Sequence, residues 1–345
     1  MTSKSWEKTT TTDAEQIPLV RRFPALAEVP RVELGSFPTP VEKLEGFPVP
    51  GELWIKRDDL TAAELGGNKV RALEFLLAAR RQGETVLTIG GEGSTHVLAT
   101  AFHAQRLGVH TSAISWRHDM SDTSLAVAAR AFDLCGRITM SRFALSGLSR
   151  AMIARWADPS RYIPLGGSSP RGILGHVNAG LELAAQVASG ELPLPNAVVV
   201  PLGTGGTAAG LALGFSIAKL KTVVVGARVG PRAGANRWRV LRLARATTSL
   251  IAKLTGERLP RLSTPSVTVV HDVYGGGYGR PSVQGTAAAN AMQRIWGLKL
   301  DATYSAKAFA AALALARTPN SRILFWLTFD ARWMSEWKAV AGDAS

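Results

Sequence analysis

Cysteine is almost absent from this chain of 345 residues. The single cysteine, Cys135, excludes an intrachain disulfide and a metal cluster built from cysteines. No stretch approaches the roughly eighteen uncharged apolar residues of a membrane span, so the sequence predicts none. Residues 1–16 are polar and rich in threonine, without the apolar segment of a secretory signal. We therefore expect a cytoplasmic protein in which residues 1–30 form a mobile N-terminal extension.

Acidic residues are also scarce, since 26 of them face 40 lysines and arginines and leave a net charge of +14. The basic excess is concentrated between residues 228 and 261, where Glu257 is the only acid. Such a stretch could attract nucleic acid or another polyanion. However, Trp238 is its only aromatic residue, and no zinc, helix-turn-helix or RNA-binding motif accompanies it. The pattern therefore favours a basic helix face over nucleic-acid binding.

Apolar strand-like runs alternate with helical patterns along most of the chain, from Thr85–Ile89 to Arg322–Leu327. This regular alternation predicts an α/β fold with open, mainly parallel sheets and helices on both faces. The number of strand–helix units exceeds one common doubly wound unit, so we expect two twisted sheets. The patterns also predict a short strand at Tyr162–Pro164 and a helix that begins at Pro281, because proline suits a first turn.

The most distinctive segment is Gly66-Gly67-Asn68-Lys69, which opens an amphipathic helix. A cation in the first turn of a helix is disfavoured by the helix dipole. The two glycines that precede it allow the backbone to approach a ligand closely. This placement suits a lysine that forms a Schiff base with a cofactor aldehyde. A solvated surface lysine after a glycine turn is the alternative.

A second glycine-rich turn, Gly203-Thr204-Gly205-Gly206-Thr207, follows the predicted strand Ala197–Pro201 and opens a helix. At the carboxyl end of a strand, the N–H groups of such a turn can hold a phosphate. The glycine spacing and the lack of a suitably placed acidic residue argue against a dinucleotide site. No Gly-Lys-Ser/Thr sequence closes the turn, so it is not a P-loop. A plain tight turn is the alternative.

Three more glycine-rich turns precede predicted helices, at Gly90–His96, Gly166–Gly172 and Gly275–Pro281. In the first of them, Ser94 could bind a substrate carboxylate or simply cap the helix. His96 could carry protons or be a structural histidine. In the last, Tyr278 stands among glycines, and its phenol could transfer a proton or hold a carboxylate.

Together with Asp301-Ala302-Thr303-Tyr304-Ser305 and Thr328, these segments resemble the motifs of pyridoxal-phosphate (PLP) enzymes of the tryptophan synthase β type (fold type II). The resemblance runs in order from Arg31 to Thr328. It is greatest to the D-cysteine desulfhydrase and 1-aminocyclopropane-1-carboxylate (ACC) deaminase family, and it implies PLP as the cofactor and no metal. The implied catalytic residues are Lys69, Ser94, Tyr278 and Tyr304. The implied cofactor-binding residues are Lys69, Asn68, Thr95, Gly203, Thr204, Gly205, Gly206, Thr207, Ser305 and Thr328. The implied substrate-binding residues are Ser94, Thr95, His96, Gly167 and Tyr278.

The resemblance further implies a large PLP-binding domain, residues 31–80 plus 186–345, and a small domain, residues 81–185. It implies β-elimination from a small amino acid such as D-cysteine, with a 2-oxo acid and ammonia as products. Homodimers are common for this fold, so a homodimer is expected. Two alternatives stay open: ACC deamination, and a degenerate family member that binds PLP without this activity.

The chain departs from the family pattern at a few positions. Ser305 stands where ACC deaminases carry glutamate, which argues against ACC deamination. The other departures are Thr95, Ala306, Phe329 and Asp330.

Overall fold

Two sheets organise the part of the chain that the structure describes, residues 17–260, 262 and 266–334 of a computed structural model. Their strands are β1 (Val41–Lys43), β2 (Glu52–Arg57), β3 (Thr85–Gly91), β4 (His110–Trp116), β5 (Arg137–Ser141), β6 (Ala197–Leu202), β7 (Val223–Arg228), β8 (Val267–Val270) and β9 (Arg322–Leu327). The larger sheet has the order β1-β2-β9-β6-β7-β8, in which only β1 and β2 pair antiparallel. The smaller sheet, β3-β4-β5, is parallel throughout.

Helices alternate with these strands along the chain. In the same described ranges they are α1 (Pro18–Arg22), α2 (Asn68–Leu76), α3 (Thr95–Arg106), α4 (Asp122–Leu134), α5 (Ala144–Ala157), α6 (Pro170–Ala188), α7 (Gly206–Ile217), α8 (Arg237–Thr255), α9 (Val283–Trp296) and α10 (Ser305–Leu315). The α/β class with two mainly parallel sheets is thereby confirmed. Among the described helices, none has an apolar stretch long enough for a bilayer span.

Strand β6 shows why the larger sheet forms. Its run of consecutive valines, Val198, Val199 and Val200, is fully buried, as expected for a parallel strand covered on both faces. Because side chains alternate along a strand, Val198 and Val200 belong to one core cluster and Val199 to another. The first cluster includes side chains of α6, α7 and α8, and the second includes those of α9 and α10. The strand therefore carries two hydrophobic cores.

Two expectations about individual elements were wrong. Tyr162 makes only one isolated bridge, to Leu87, rather than a strand, since the chain turns away after Pro164. Helix α9 begins at Val283, two residues later than expected. The Ser282 side chain caps it by accepting from the Gly285 N–H at 3.1 Å, so serine sets the helix start and Pro281 precedes it.

The expected extension is also corrected in part. Residues 17–29 are folded, because Leu19 and Phe23 are fully buried against the core that contains α6. The Leu19 N–H donates to the Asn178 side chain at 2.9 Å. Residues 1–16 lie outside the described residues. The domain boundary expected after residue 185 stays a prediction, and helix α6 continues across it.

A buried ion-pair network joins helix α2 to the rest of the fold. Arg71 of α2 donates to Asp58 at 2.7 Å and to Glu182 of α6 at 2.8 Å. Lys56 of β2 donates to the same Glu182 at 2.6 Å, and all four side chains are at most 3% exposed. Burial alone would raise the pKa of Glu182, but the Arg71 and Lys56 charges lower it to about 2. The network therefore holds the lysine-bearing helix in a single position.

We predict that Arg71→Met lowers the free energy of unfolding by about 3–5 kcal/mol, because Asp58 and Glu182 lose a buried charge partner. Urea denaturation followed by circular dichroism measures this change. Arg245→Met is the matched control, since Arg245 is exposed on α8 and its loss should change stability by less than about 0.5 kcal/mol. An Arg71→Met protein as stable as the wild type would contradict this role of the network.

Candidate active site

One cavity of about 790 Å³ brings together most of the residues singled out in the sequence. Its lining includes residues at the carboxyl ends of β3, β4, β6, β7 and β9, where open α/β folds bind ligands. Of the expected site residues, it contains Asn68, Lys69, Ser94, Thr95, His96, Gly203, Thr204, Gly205, Gly206, Thr207, Tyr278, Tyr304 and Thr328. Gly167 and Ser305 lie outside the lining and are buried beside it.

The backbone around Gly67 and Asn68 sets the position of Lys69. Gly67 has a φ of 131°, and a Cβ there would lie 2.6 Å from the Thr328 carbonyl oxygen, so only glycine fits. The Asn68 N–H donates to that same carbonyl at 3.0 Å, and its side-chain amide donates to the Thr207 hydroxyl at 2.7 Å. Asn68 therefore connects the lysine segment to the end of β9 and to the glycine-rich turn.

Lys69 faces the cavity without a charge partner. It is half-buried, and no ion pair within the described ranges includes it. Desolvation in the cavity lowers the pKa of Lys69 to about 8. A considerable fraction of the amine is thus neutral near physiological pH, as a nucleophile or base requires. These surroundings favour a functional lysine over a solvated surface lysine.

The turn at Gly203–Thr207 has the properties of an anion site. Gly205, in the left-handed region with φ 89°, precedes helix α7, and no side chain caps that helix. The first N–H groups of a helix have no partner within the helix, and here the residues that carry them line the cavity. Free N–H groups and the positive end of the helix dipole bind phosphate well. The turn therefore fits the phosphate of PLP.

Arg239 is a site residue that sequence reasoning missed. Its Nε donates to the Thr204 carbonyl at 2.9 Å, which holds the half-buried guanidinium beside the glycine-rich turn, and it lines the cavity. Burial and the neighbouring Arg242 lower the pKa of Arg239, so a bound anion would relieve an unfavourable environment. One feature of the sequence could have identified it: Arg239 lies in the first turn of the helix that follows strand β7.

The contacts of Ser94 favour a role in ligand binding, whereas those of His96 favour a structural role. Ser94 precedes helix α3, but its hydroxyl makes no capping hydrogen bond, so the capping interpretation is not supported and the hydroxyl is available to a ligand. His96 is buried and its Nε2 lies 3.0 Å from the Thr88 hydroxyl. Desolvation and the Lys69 charge lower the pKa of His96 to about 3. These contacts favour a structural, neutral histidine over a proton carrier.

The phenols of Tyr278 and Tyr304 form a hydrogen bond with each other at one side of the cavity. Burial raises the pKa of both phenols, so both are neutral at ordinary pH. In such a pair one phenol donates to the other, and the second keeps its O–H for a ligand. The His118 ring packs against Tyr278 at a centroid distance of 4.8 Å and supports the pair.

Of the residues that depart from the family pattern, Thr95 and Phe329 line the cavity, and Ser305 and Asp330 lie outside the lining. Phe329 pairs with Gly67 through its backbone and packs in the cluster that contains Leu65. The buried Asp330 accepts from the Arg332 Nε at 2.8 Å. The buried Ser305 hydroxyl makes no hydrogen bond of ordinary geometry, although the Asp301 carboxylate accepts from the Ser305 N–H at 2.9 Å. The departures thus leave the region around Lys69 open.

A desolvated lysine between an uncapped glycine turn and a pair of neutral phenols, on an open α/β fold, defines a PLP-dependent enzyme. In agreement with this, the family model described as "Pyridoxal-phosphate dependent enzyme" matches residues 32–328. The chain belongs to this family.

Comparisons with single proteins agree with the family. A D-cysteine desulfhydrase of Yersinia enterocolitica is 34% identical over 302 residues, which cover 84% of this chain and 88% of the relative. A D-cysteine desulfhydrase of Salmonella choleraesuis is 34% identical over 299 residues, or 83% of this chain and 88% of the relative. The crystal structure of an ACC deaminase homologue matches with a TM-score of 0.71 at 26% identity, covering 92% of this chain and 98% of that chain. The expected membership of the D-cysteine desulfhydrase and ACC deaminase branch is confirmed.

We predict that Arg239→Ala weakens PLP binding about tenfold, because a charge-assisted hydrogen bond to the phosphate is lost. Pyridoxal, which lacks the phosphate, should bind the variant and the wild type equally. Titration of the apoprotein followed by its fluorescence measures both affinities. Arg242→Ala, on the same helix but outside the cavity lining, is the matched control. An equal loss of affinity for PLP and pyridoxal would contradict a phosphate contact.

Proposed function

We propose that this protein catalyses a PLP-dependent β-elimination on a small amino acid, with D-cysteine as the leading substrate. Water and D-cysteine would give pyruvate, ammonium and hydrogen sulfide. The observation that carries the proposal is Lys69, a cavity-facing amine with a pKa lowered to about 8 and no described ion-pair partner. The 34% identity to two D-cysteine desulfhydrases over most of the chain supports this choice of substrate.

The residues that would hold PLP come from several elements. The N–H groups of Gly203–Thr207 and the Arg239 guanidinium would bind its phosphate, and Lys69 would bind its aldehyde carbon. Asn68, Thr95, Ser305 and Thr328 would surround its ring, as the family resemblance implies. When bound, PLP acts as an electron sink for the bonds at the substrate Cα.

Lys69 is the residue that would move the proton from the substrate Cα. As a free amine, Lys69 has a pKa lowered to about 8, which suits a general base near neutral pH. The phenols of Tyr278 and Tyr304 are neutral, so they act as hydrogen-bond donors rather than bases. They would position the substrate and return a proton to the leaving group.

Ser94 would orient the substrate through its carboxylate. Its hydroxyl is uncommitted, and the N-terminal N–H groups of α3 begin at the next residue. A helix N-terminus favours a carboxylate for the same reason that it favours a phosphate. Ser94 and Lys69 line the same cavity, so a substrate held by its carboxylate at Ser94 would share that cavity with the lysine amine.

ACC deamination is the second candidate, supported by the structural match to an ACC deaminase homologue. Its ring opening would yield 2-oxobutanoate and ammonium instead of pyruvate and sulfide. The third candidate is a family member that binds PLP without this activity. Assays on each compound and on each enantiomer of cysteine therefore distinguish these candidates.

We expect the purified holoprotein to absorb at about 410–430 nm and to release sulfide and pyruvate from D-cysteine. Lys69→Ala should lose this band and, because the base is gone, at least about a thousandfold in rate. Absorbance spectra and assays of both 2-oxo acids on D-cysteine, L-cysteine and ACC measure these results. Release of 2-oxobutanoate from ACC alone would replace the first candidate with the second.

The matched control is Lys219→Ala, which removes a lysine that does not line the cavity. It should keep both the band and the activity. Colourless protein that takes up no added PLP would contradict the enzyme proposal altogether. A coloured protein without elimination on any of these substrates would favour the PLP-binding member without this activity.

We also propose that the enzyme works as a cytoplasmic homodimer. Homodimers are common for the fold resembled, and α5 leaves large apolar side chains such as Leu145, Ile153 and Trp156 exposed. The single cysteine suits a reducing compartment. Light scattering during size-exclusion chromatography should give twice the chain mass of 36.7 kDa. A monomer mass at micromolar concentration would contradict the homodimer.

A further inference from the structure

The outer part of the cavity carries more positive charge than the proposed reaction uses. Five cationic side chains line the cavity, Lys69, Arg117, Arg142, Arg239 and Arg280, against a single carboxylate, that of Asp119. Lys69 serves the cofactor, Arg239 lies beside the phosphate turn, and Arg280 donates to Asp119 at 2.7 Å. The proposed reaction assigns no role to the remaining two, Arg117 and Arg142. Neither forms an ion pair with any carboxylate in residues 17–260, 262 or 266–334.

The small sheet places these two arginines side by side. Trp116 of β4 and Ser141 of β5 are register partners in a parallel pair, and Arg117 and Arg142 directly follow them. Neighbouring strands lie about 4.8 Å apart, so both guanidinium groups can reach one anion.

Apolar side chains line the same part of the cavity. Trp116 packs tightly on α5, since a Cβ at Gly147 would lie 3.1 Å from its ring. Phe143 and Leu148, which also line the cavity, are 61% and 40% exposed. Exposed apolar side chains in a cavity wall provide contact surface for the hydrocarbon part of a ligand.

From this arrangement we infer a substrate class: β-substituted amino acids whose β-substituent ends in an anionic group, bound by Arg117 and Arg142 and packed along Trp116, Phe143 and Leu148. The inference rests on the proposed function and extends it beyond D-cysteine. With S-(2-carboxyethyl)cysteine, the Cβ–S bond would break and the sulfur would leave as 3-mercaptopropionate. The α-proton would pass through Lys69, and one water would complete pyruvate and ammonium.

A matched pair of substrates tests the inference. S-(2-carboxyethyl)cysteine and its amide, S-(2-carbamoylethyl)cysteine, have nearly the same size and differ by one charge. With the enantiomer that the enzyme accepts, we expect kcat/KM at least about tenfold higher for the carboxylate. Arg117→Gln and Arg142→Gln should each reduce this ratio about fivefold, through KM rather than kcat, since they remove binding that the transition state shares. Arg150→Gln, an exposed arginine of α5 outside the cavity lining, should leave the ratio unchanged.

The outcomes separate this inference from the proposed function. If D-cysteine is turned over while the carboxylate and the amide react equally, or while Arg117→Gln and Arg142→Gln both keep the full preference, the substrate class is wrong and the proposed function stands. If no amino acid is turned over, the proposed function fails. In that case, calorimetric titration of the wild-type holoprotein with the carboxylate and with the amide gives the ratio of their two affinities. Equal affinities would overturn the arginine subsite, and a preference for the carboxylate lost in Arg117→Gln would support it.

Discussion

The rest of the structure depends on the buried ion pairs that Arg71 makes with Asp58 and Glu182. Buried ion pairs add little net stability, because desolvation of the charges offsets their attraction. Their effect here is positional. Arg71 and Lys69 are two residues apart on α2, so their side chains leave the helix on different sides. Holding Arg71 against α6 and the end of β2 therefore turns Lys69 toward the cavity.

The carboxylates of the network are paired with cations other than Lys69. Asp58 and Glu182 lie near its helix, and unpaired carboxylates there would favour the ammonium form of Lys69. Both are instead neutralised by Arg71, and Glu182 by Lys56 as well. Desolvation is the cause that lowers the pKa of Lys69 to about 8. The lysine can therefore lose its proton near neutral pH.

The sequence predicts those features of the protein that depend on local patterns of residues. Apolar runs located the strands, and strand β9 agrees residue for residue, because its continuous apolar run is typical of a parallel strand buried on both faces. Glycine-rich turns after strands identified much of the site, since the carboxyl ends of parallel strands meet at one edge. Arg117 and Arg142 were missed because a charged residue after a strand carries no local sign of where its side chain points. Residues 17–29 were missed because their burial depends on the distant helix α6.

The departures from the family pattern change the shape of the site more than its chemistry. Where the resemblance leads one to expect two glycines after Thr328, Phe329 fills the wall and packs edge to face with Trp333 at 6.4 Å. Asp330 is buried and held by Arg332, whose Nη2 also donates to the Asp59 carbonyl at 3.1 Å. Phe329 thus adds bulk to the cavity lining, while Arg117, Arg142 and Phe143 are exposed members of the same lining. A substrate longer than cysteine could extend toward those arginines, because they line the same cavity as Lys69 and their side chains are exposed.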